Sequence, residues 1–221
     1  MRHRAGWFVW IALGGFLASG CMTQQEKSEE GWISLFNGKD LSGWELVHPH
    51  GFNSWSVEDG VLVNTRPADG EGTDIRTEQE FGDCELHVEF MVPEGSNSGV
   101  FLQEQYEVQV FDSYGQPPRL GGCGAIYNQV APLENVSKPA GEWQTFDIVF
   151  HQPAVTSPGK VTRAGTITVF HNGVKVIDNA AIQTPTGGPF KQRPVNPPGP
   201  VLLQGDHGTV SYRNIRIRPL D

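Results

Sequence analysis

The first chemistry in this chain lies in a short run of alternating residues. Across residues 105–112, Gln105, Glu107, Gln109 and Phe111 fall on one face of an extended strand, and Tyr106, Val108 and Val110 fall on the other. The second set suits a core, so Glu107 and Gln109 stand side by side on the opposite surface. A carboxylate placed there can act as a general acid or base. Asp112 has the wrong parity and joins the pair only through a bulge, a common device beside active sites. His207, within Asp206-His207-Gly208, is the natural proton-transfer partner. Gln109, Gln204, Tyr127 and Arg213 are polar groups able to hold hydroxyls or a developing oxyanion. Each has a plainer reading. A Glu beside a Gln is also an ordinary solvated face, and His207 also suits a turn. Arg213 shares a face with Ser211, Ile215 and Ile217 and also suits a buried arginine paired with a carboxylate.

Simple glycoside hydrolysis asks for two carboxylates across the scissile bond, about 5–5.5 Å apart for retention and about 6.5–9.5 Å for inversion. Glu107 and Asp112 are the local pair, and their parity opposes it. Trp44, Trp55 and Trp143 read as core anchors rather than sugar platforms. His48-Pro49-His50 lacks the spacing of a helical metal pair and reads as surface loop. No cofactor motif is evident. A divalent cation held by cleft carboxylates with His207 stays open.

The elements that must position these groups are strands. Period two dominates and no convincing helix is found. In residues 84–90, Cys84, Leu86, Val88 and Phe90 alternate with Glu85, His87 and Glu89. Residues 166–177 read as a hairpin whose two β-branched runs meet at Asn172-Gly173, the pair a type I′ turn favours. Residues 144–150 and 209–218 are further strands. Short strands punctuated by Gly and Pro predict an all-β sandwich or jelly roll. Two long segments interrupt the rhythm. Residues 112–124 are rich in Gly and Pro, and residues 183–200 carry six prolines and three glycines, a composition that predicts neither helix nor ladder. Both are expected to wall a cleft.

The amino terminus reads as an address. Arg2 and Arg4 precede an uncharged apolar run over residues 7–17, too short to span a bilayer as a helix. The run closes on Leu17-Ala18-Ser19-Gly20-Cys21, which resembles a bacterial lipobox, with Cys21 the acylated residue. Residues 1–20 are therefore expected to be a lipoprotein signal peptide, 21–31 a polar tether, and 32–221 a single domain. The expected product is exported and lipid-anchored, on the periplasm-facing or surface side of the outer membrane in a double-membrane bacterium. Without residues 1–20 the chain has 14 basic and 25 acidic residues. That balance argues against nucleic acid and against any membrane contact beyond the anchor, and it favours a neutral small molecule. Cys84 and Cys123 remain, and a disulfide and a buried core thiol are equally good readings.

Several segments together resemble the bacterial domain family named for 3-keto-disaccharide hydrolase. They are residues 35–44, 55–62, 76–78, 81–90, 96–100, 106–112, 124–127, 141–144, 171–173, 203–208 and 212–215, and their order and spacing carry the resemblance across residues 32–221. It implies a concanavalin A-like jelly-roll sandwich of two antiparallel sheets, one curved into a sugar cleft. It also implies a lyase or hydratase acting on 3-keto-glucosides, by elimination across C1–C2 and hydration of the resulting glycal. A base would take the C2 proton, donors would hold the C3 enolate oxygen, and an acid would assist departure at C1. Glu107 is then the first choice for the base and His207 for its acid or base partner, with Gln109, Asp112, Tyr127, Gln204 and Arg213 as substrate-binding groups. A separate oxidoreductase must supply the 3-keto sugar. The rival readings are a lectin-like binding module, since fold alone does not set function, and a conventional glycoside hydrolase.

The address yields its own prediction. Several acyl chains hold a protein to a membrane where one holds it only marginally. Cys21→Ser is expected to move the protein from the membrane pellet to the soluble exported fraction, or to stop its processing. Fractionation identical to the unaltered protein excludes the anchor.

Overall fold

The computed structural model describes Met1 and residues 30–50, 52–66, 72–182, 184–187 and 192–220. Residues 2–29, which hold the signal segment, Cys21 and most of the tether, lie outside the described residues. Gly31–Asp221 form one compact unit. Its strands in chain order begin with β1 (Ile33–Ser34), β2 (Trp44–Leu46), β3 (Trp55–Glu58), β4 (Val61–Asn64) and β5 (Ile75–Phe81). Next come β6 (Cys84–Met91), β7 (Asn97–Leu102), β8 (Tyr106–Phe111), β9 (Gln144–His151) and β10 (Ala154–Val155). The last are β11 (Val161–Arg163), β12 (Gly165–His171), β13 (Val174–Ile182), β14 (Gly199–Leu203) and β15 (Val210–Pro219). No helix occurs among the described residues.

Two antiparallel sheets make the jelly-roll sandwich. The larger has eight strands in the order β13-β12-β9-β6-β15-β4-β3, with β1 added on β15, and the smaller runs β2-β5-β14-β7-β8. Their facing sides meet in one core. Leu86, Val88 and Phe90 of β6, Phe146, Ile148 and Phe150 of β9 and Ile167 and Val169 of β12 come from the large sheet. Tyr106, Val108 and Val110 of β8 and Val201 and Leu203 of β14 come from the small one. Alternation is the cause: every second side chain points inward and loses its contact with water. The hairpin is as its sequence predicts, with Asn172 at φ 51° and Gly173 at φ 80° joining β12 to β13.

Two details differ from the sequence reading, and a third decides between two readings left open. Asn214 sits at φ 48° in a register shift of β15 between Arg213 and Arg216. This bulge resets the parity, so Tyr212, Ile215 and Ile217 all reach the core and Arg213 points away from it. Gly199 and Pro200, inside the segment expected to form no ladder, open β14, the central strand of the small sheet. A proline is tolerated at a strand's start, and Pro200 still serves as an acceptor, taking the Glu104 N–H at 3.1 Å. Cys84 and Cys123 are free, buried thiols, which selects the core reading.

Edge strand β8 is covered rather than exposed. Gln109 N–H donates to Ala125 O and Tyr127 N–H to Glu107 O, while Thr186 N–H donates to Gln105 O. The Glu107 N–H donates to Thr186 Oγ1 at 3.0 Å. Both long loops therefore contribute to one wall, and the ladder groups of an otherwise open edge are satisfied.

Val108 is wholly buried at the centre of this arrangement. Val108→Asp would place an unpaired carboxylate there at a cost of about 4 kcal/mol or more. The variant is expected to lose its cooperative thermal transition, as followed by circular dichroism. A melting curve like that of the unaltered protein would show that this face is not core.

Candidate functional site

Residues of the small sheet that point away from the core form two adjacent rows. Arg76, Leu202, Phe101 and Glu107 align across β5, β14, β7 and β8. The neighbouring row holds Asp74, Gln204, Gly99 and Gln109. Gly99 pairs with Gln109, and Gln204 N–H donates to Gly99 O at 3.0 Å. Gly99 decides where the Glu107 carboxyl lies. A Cβ at that position would stand 2.6 Å from Glu107 Oε1 and 3.0 Å from Glu107 Cγ, so the carboxyl lies over the glycine. It is thereby held between Gln109 on one side and Gln204 on the other.

This carboxyl is only 4% exposed. Burial pushes its pKa up to about 8; the charge of His207 opposes the shift, and those of Asp74 and Asp206 add to it. Asp74 behaves similarly: burial raises it to about 6 although it accepts the Gly205 N–H at 2.9 Å. His207 moves upward because its ring Nδ1 is hydrogen-bonded to the Asp206 carboxylate, with further help from the charges of Asp74 and Glu107. Four titratable groups thus act on one another in one place. Asp74 carries no sequence signal that marks it, whereas Asp206 is marked only as the neighbour of His207. Gln109 and Gln204 are almost wholly buried, and the side-chain oxygen of each has no partner among the described residues.

The loop that carries His207 is anchored along its length. Asn64, fully buried at the end of β4, donates its amide to Gly205 O at 3.0 Å and to Gly208 O at 2.7 Å. A Cβ on Gly205 would collide with Thr73 O and with the Trp55 indole. Trp55 itself donates to Thr73 O at 2.6 Å. From beneath, Ser98 Oγ donates to Gln204 O at 2.7 Å and shares a hydrogen bond with the Tyr212 hydroxyl, so the large sheet also positions Gln204. Trp55 is an anchor of the site as well as of the core.

Among the expected groups, Tyr127 joins the site. Its ring packs against Gly187, where an added Cβ would lie 3.4 Å from the ring and 3.9 Å from Glu107 Oε2. Asp112 does not join. The β7–β8 pairing is regular to its end at Phe111, so no bulge rescues its parity. Asp112 instead accepts the Gly95 N–H at 2.9 Å and holds the turn before β7. Arg213 is also elsewhere. It lies on the outer side of the large sheet, 3.9 Å over the Trp143 ring, with its Nε donating to Glu89 at 2.7 Å. The bulge at Asn214 places it there. Among the described residues, no three His, Cys, Asp or Glu side chains are grouped as a metal site.

Burial of Glu107 has a measurable consequence. The unfolded chain releases this proton near its ordinary value of 4.5, the folded protein only near 8. Folding therefore takes up a proton between those values. Stability fully present below the lower value is lost as pH rises through about 8. Glu107→Gln removes that slope. Between about pH 5 and about pH 9 the variant is expected to lose less stability than the unaltered protein, by on the order of a few kcal/mol. Denaturant unfolding at both pH values measures this, and equal losses would mean a solvated carboxyl.

A buried carboxyl beside two buried amides thus lies on one face of a jelly roll. A crystal structure of a candidate glycosyl hydrolase from Parabacteroides distasonis is 39% identical, with TM-score 0.74, over 86% of this chain and 84% of that one. A second from the same organism is 22% identical, with TM-score 0.66, over 90% and 98%. A Bacteroides thetaiotaomicron protein named 3-keto-disaccharide hydrolase is 27% identical in an alignment that covers 57% of this chain and 54% of the relative. The chain thus spans about half the length of that curated relative. The 3-keto-alpha-glucoside-1,2-lyase-like domain matches residues 31–218, and the chain belongs to that family.

Proposed function

We propose that the protein cleaves 3-keto-glucosides by elimination and then hydrates the product. The observation that carries this reading is the Glu107 carboxyl, raised to about 8 by burial, with the raised pKa of His207 within reach of its charge. A carboxylate of that basicity removes a weakly acidic carbon-bound proton far better than an ordinary one. The C3 ketone acidifies C2–H. Glu107 takes that proton, and the electron pair of the C–H bond becomes the enolate of C2 and C3. The amide N–H of Gln204, beside Glu107, donates to the C3 oxygen as its charge grows, worth roughly 3–4 kcal/mol for a well-aimed donor, while the Gln109 amide donates to Asn97 Oδ1 at 2.8 Å. The enolate collapses, the C1–O bond breaks, and protonated His207 gives its proton to the departing oxygen. Water then adds at C1 of the enone while C2 regains a proton, so the net change is hydrolysis. The two unpartnered amide oxygens of Gln109 and Gln204 suit sugar hydroxyls, which donate.

A second reading has its own observation. Glu107 and Asp74 are both raised, and the charge of Asp74 adds to the shift at Glu107, a disposition that also serves the acid of a conventional glycoside hydrolase. The name 3-keto-disaccharide hydrolase accommodates either route.

Isotope incorporation separates the two. A 3-keto-glucoside treated in D₂O is expected to yield a sugar with deuterium at C2 beyond an enzyme-free control, and brief incubation is expected to reveal a conjugated enone. The parent glucoside should not react. Glu107→Gln should lower turnover at least about a hundredfold with the fold intact. Full retention of the original hydrogen at C2 would favour direct hydrolysis, and binding of sugars without turnover would leave a lectin.

A further inference from the structure

Beside the Glu107 site, on the same face of the small sheet, is a pocket of about 310 Å³. Its walls include Glu80 of β5, Glu104 and Gln105 of the β7–β8 turn, and Arg193, Asn196 and Pro200 of the following proline-rich segment. The volume is at the lower end of small-molecule sites, about 300–1,000 Å³. Gln105 precedes Glu107 by two residues on the same side of the chain, a separation of about 7 Å. Pro200 likewise precedes Leu202 and Gln204. The pocket therefore begins about 7 Å along the strand from Glu107, roughly the length of one sugar ring.

Its floor is built at a cost. Gln103 and Glu104 occupy a turn at φ 55° and φ 58°, where glycine or asparagine is the usual residue. Side-chain bonds hold them there. Gln103 donates to Phe81 O at 3.3 Å and to Gln152 Oε1 at 3.2 Å. The Glu104 carboxylate, 6% exposed, lies between Arg76 at 2.6 Å and Arg193 at 2.9 Å. Gln105 donates its amide to Arg193 O at 3.0 Å. These contacts fix the proline-rich wall against the sheet before any ligand arrives. Glu104 is countered by two guanidinium groups, and Glu80 disfavours anionic ligands. The remaining lining combines amides with apolar pyrrolidine rings, a surface suited to a neutral ring bearing hydroxyls.

We infer that this pocket is a second sugar subsite, which holds the leaving-group ring of a disaccharide whose oxidised ring is at Glu107. The inference rests on the activity proposed above. It makes residues 193–200 specificity determinants for the part of the substrate that departs.

Asn196 is exposed on the wall, so Asn196→Trp fills the pocket without touching the core. Two substrates read the effect in the full-length protein: the 3-keto form of a glucose disaccharide and methyl 3-keto-glucoside. The substitution is expected to lower the ratio of their kcat/KM values, disaccharide over methyl glycoside, at least about tenfold. An unchanged ratio overturns the subsite, whether activity falls on both substrates or on neither. If the unaltered protein turns over neither, the activity reading fails by itself, and binding decides the subsite. Titration with the unoxidised disaccharide should then shift the Gln105 and Asn196 side-chain amide resonances, and no shift would overturn it.

Discussion

The site depends on one steric fact, the missing Cβ of Gly99. A side chain there would occupy the space in which the Glu107 carboxyl lies. Because that space is open, the carboxyl lies flat across the neighbouring strand instead of extending into water. Its loss of hydration raises its pKa, and its position brings it between two amide side chains and into the field of His207. Removing water from an acid is expensive unless it stays neutral, so one absent methyl group gives an ordinary strand glutamate a pKa raised to about 8.

The covered edge follows the same logic. β8 is the outermost strand of the small sheet, and a bare edge there would leave Glu107 beside solvent. Residues 124–127 and Thr186 satisfy its backbone and close over it. Gly124 and Thr186, from the two Gly- and Pro-rich segments that look like interruptions in the sequence, take part in this cover.

Much of this is legible in the sequence wherever the cause is local. Period two at residues 106–110 separates the core face from the Glu107 face correctly, and Asn172-Gly173 marks its hairpin. What escapes depends on partners distant along the chain. Nothing near Asn64 announces that its amide will hold Gly205 and Gly208, and nothing near Asp74 announces that it will accept the Gly205 N–H. Arg213 departs from the expected cleft because a single residue in a left-handed conformation, Asn214, shifts parity without a glycine to reveal it. Asp112 lies outside the site because the bulge it needs is absent from β8. Pro200 conceals a strand, since its ring argues against a ladder except at the first positions.

The central strand of the small sheet is drawn from residues 199–203 of 221, between β5 and β7, which precede it by about a hundred residues or more. Until that stretch has been synthesised, β2 and β5 have no neighbour joining them to β7 and β8. The sheet that bears Glu107 is then two unconnected halves, and Gln204 and His207 do not yet exist. Contacts of such long range are slow to form, because the loop entropy is lost before the pairing rewards it. An intermediate in which residues 199–208 are not yet made therefore has β7 and β8 paired, with Glu107 and Gln109 in place, but lacks the strand that joins them to β5 and lacks Gln204 and His207.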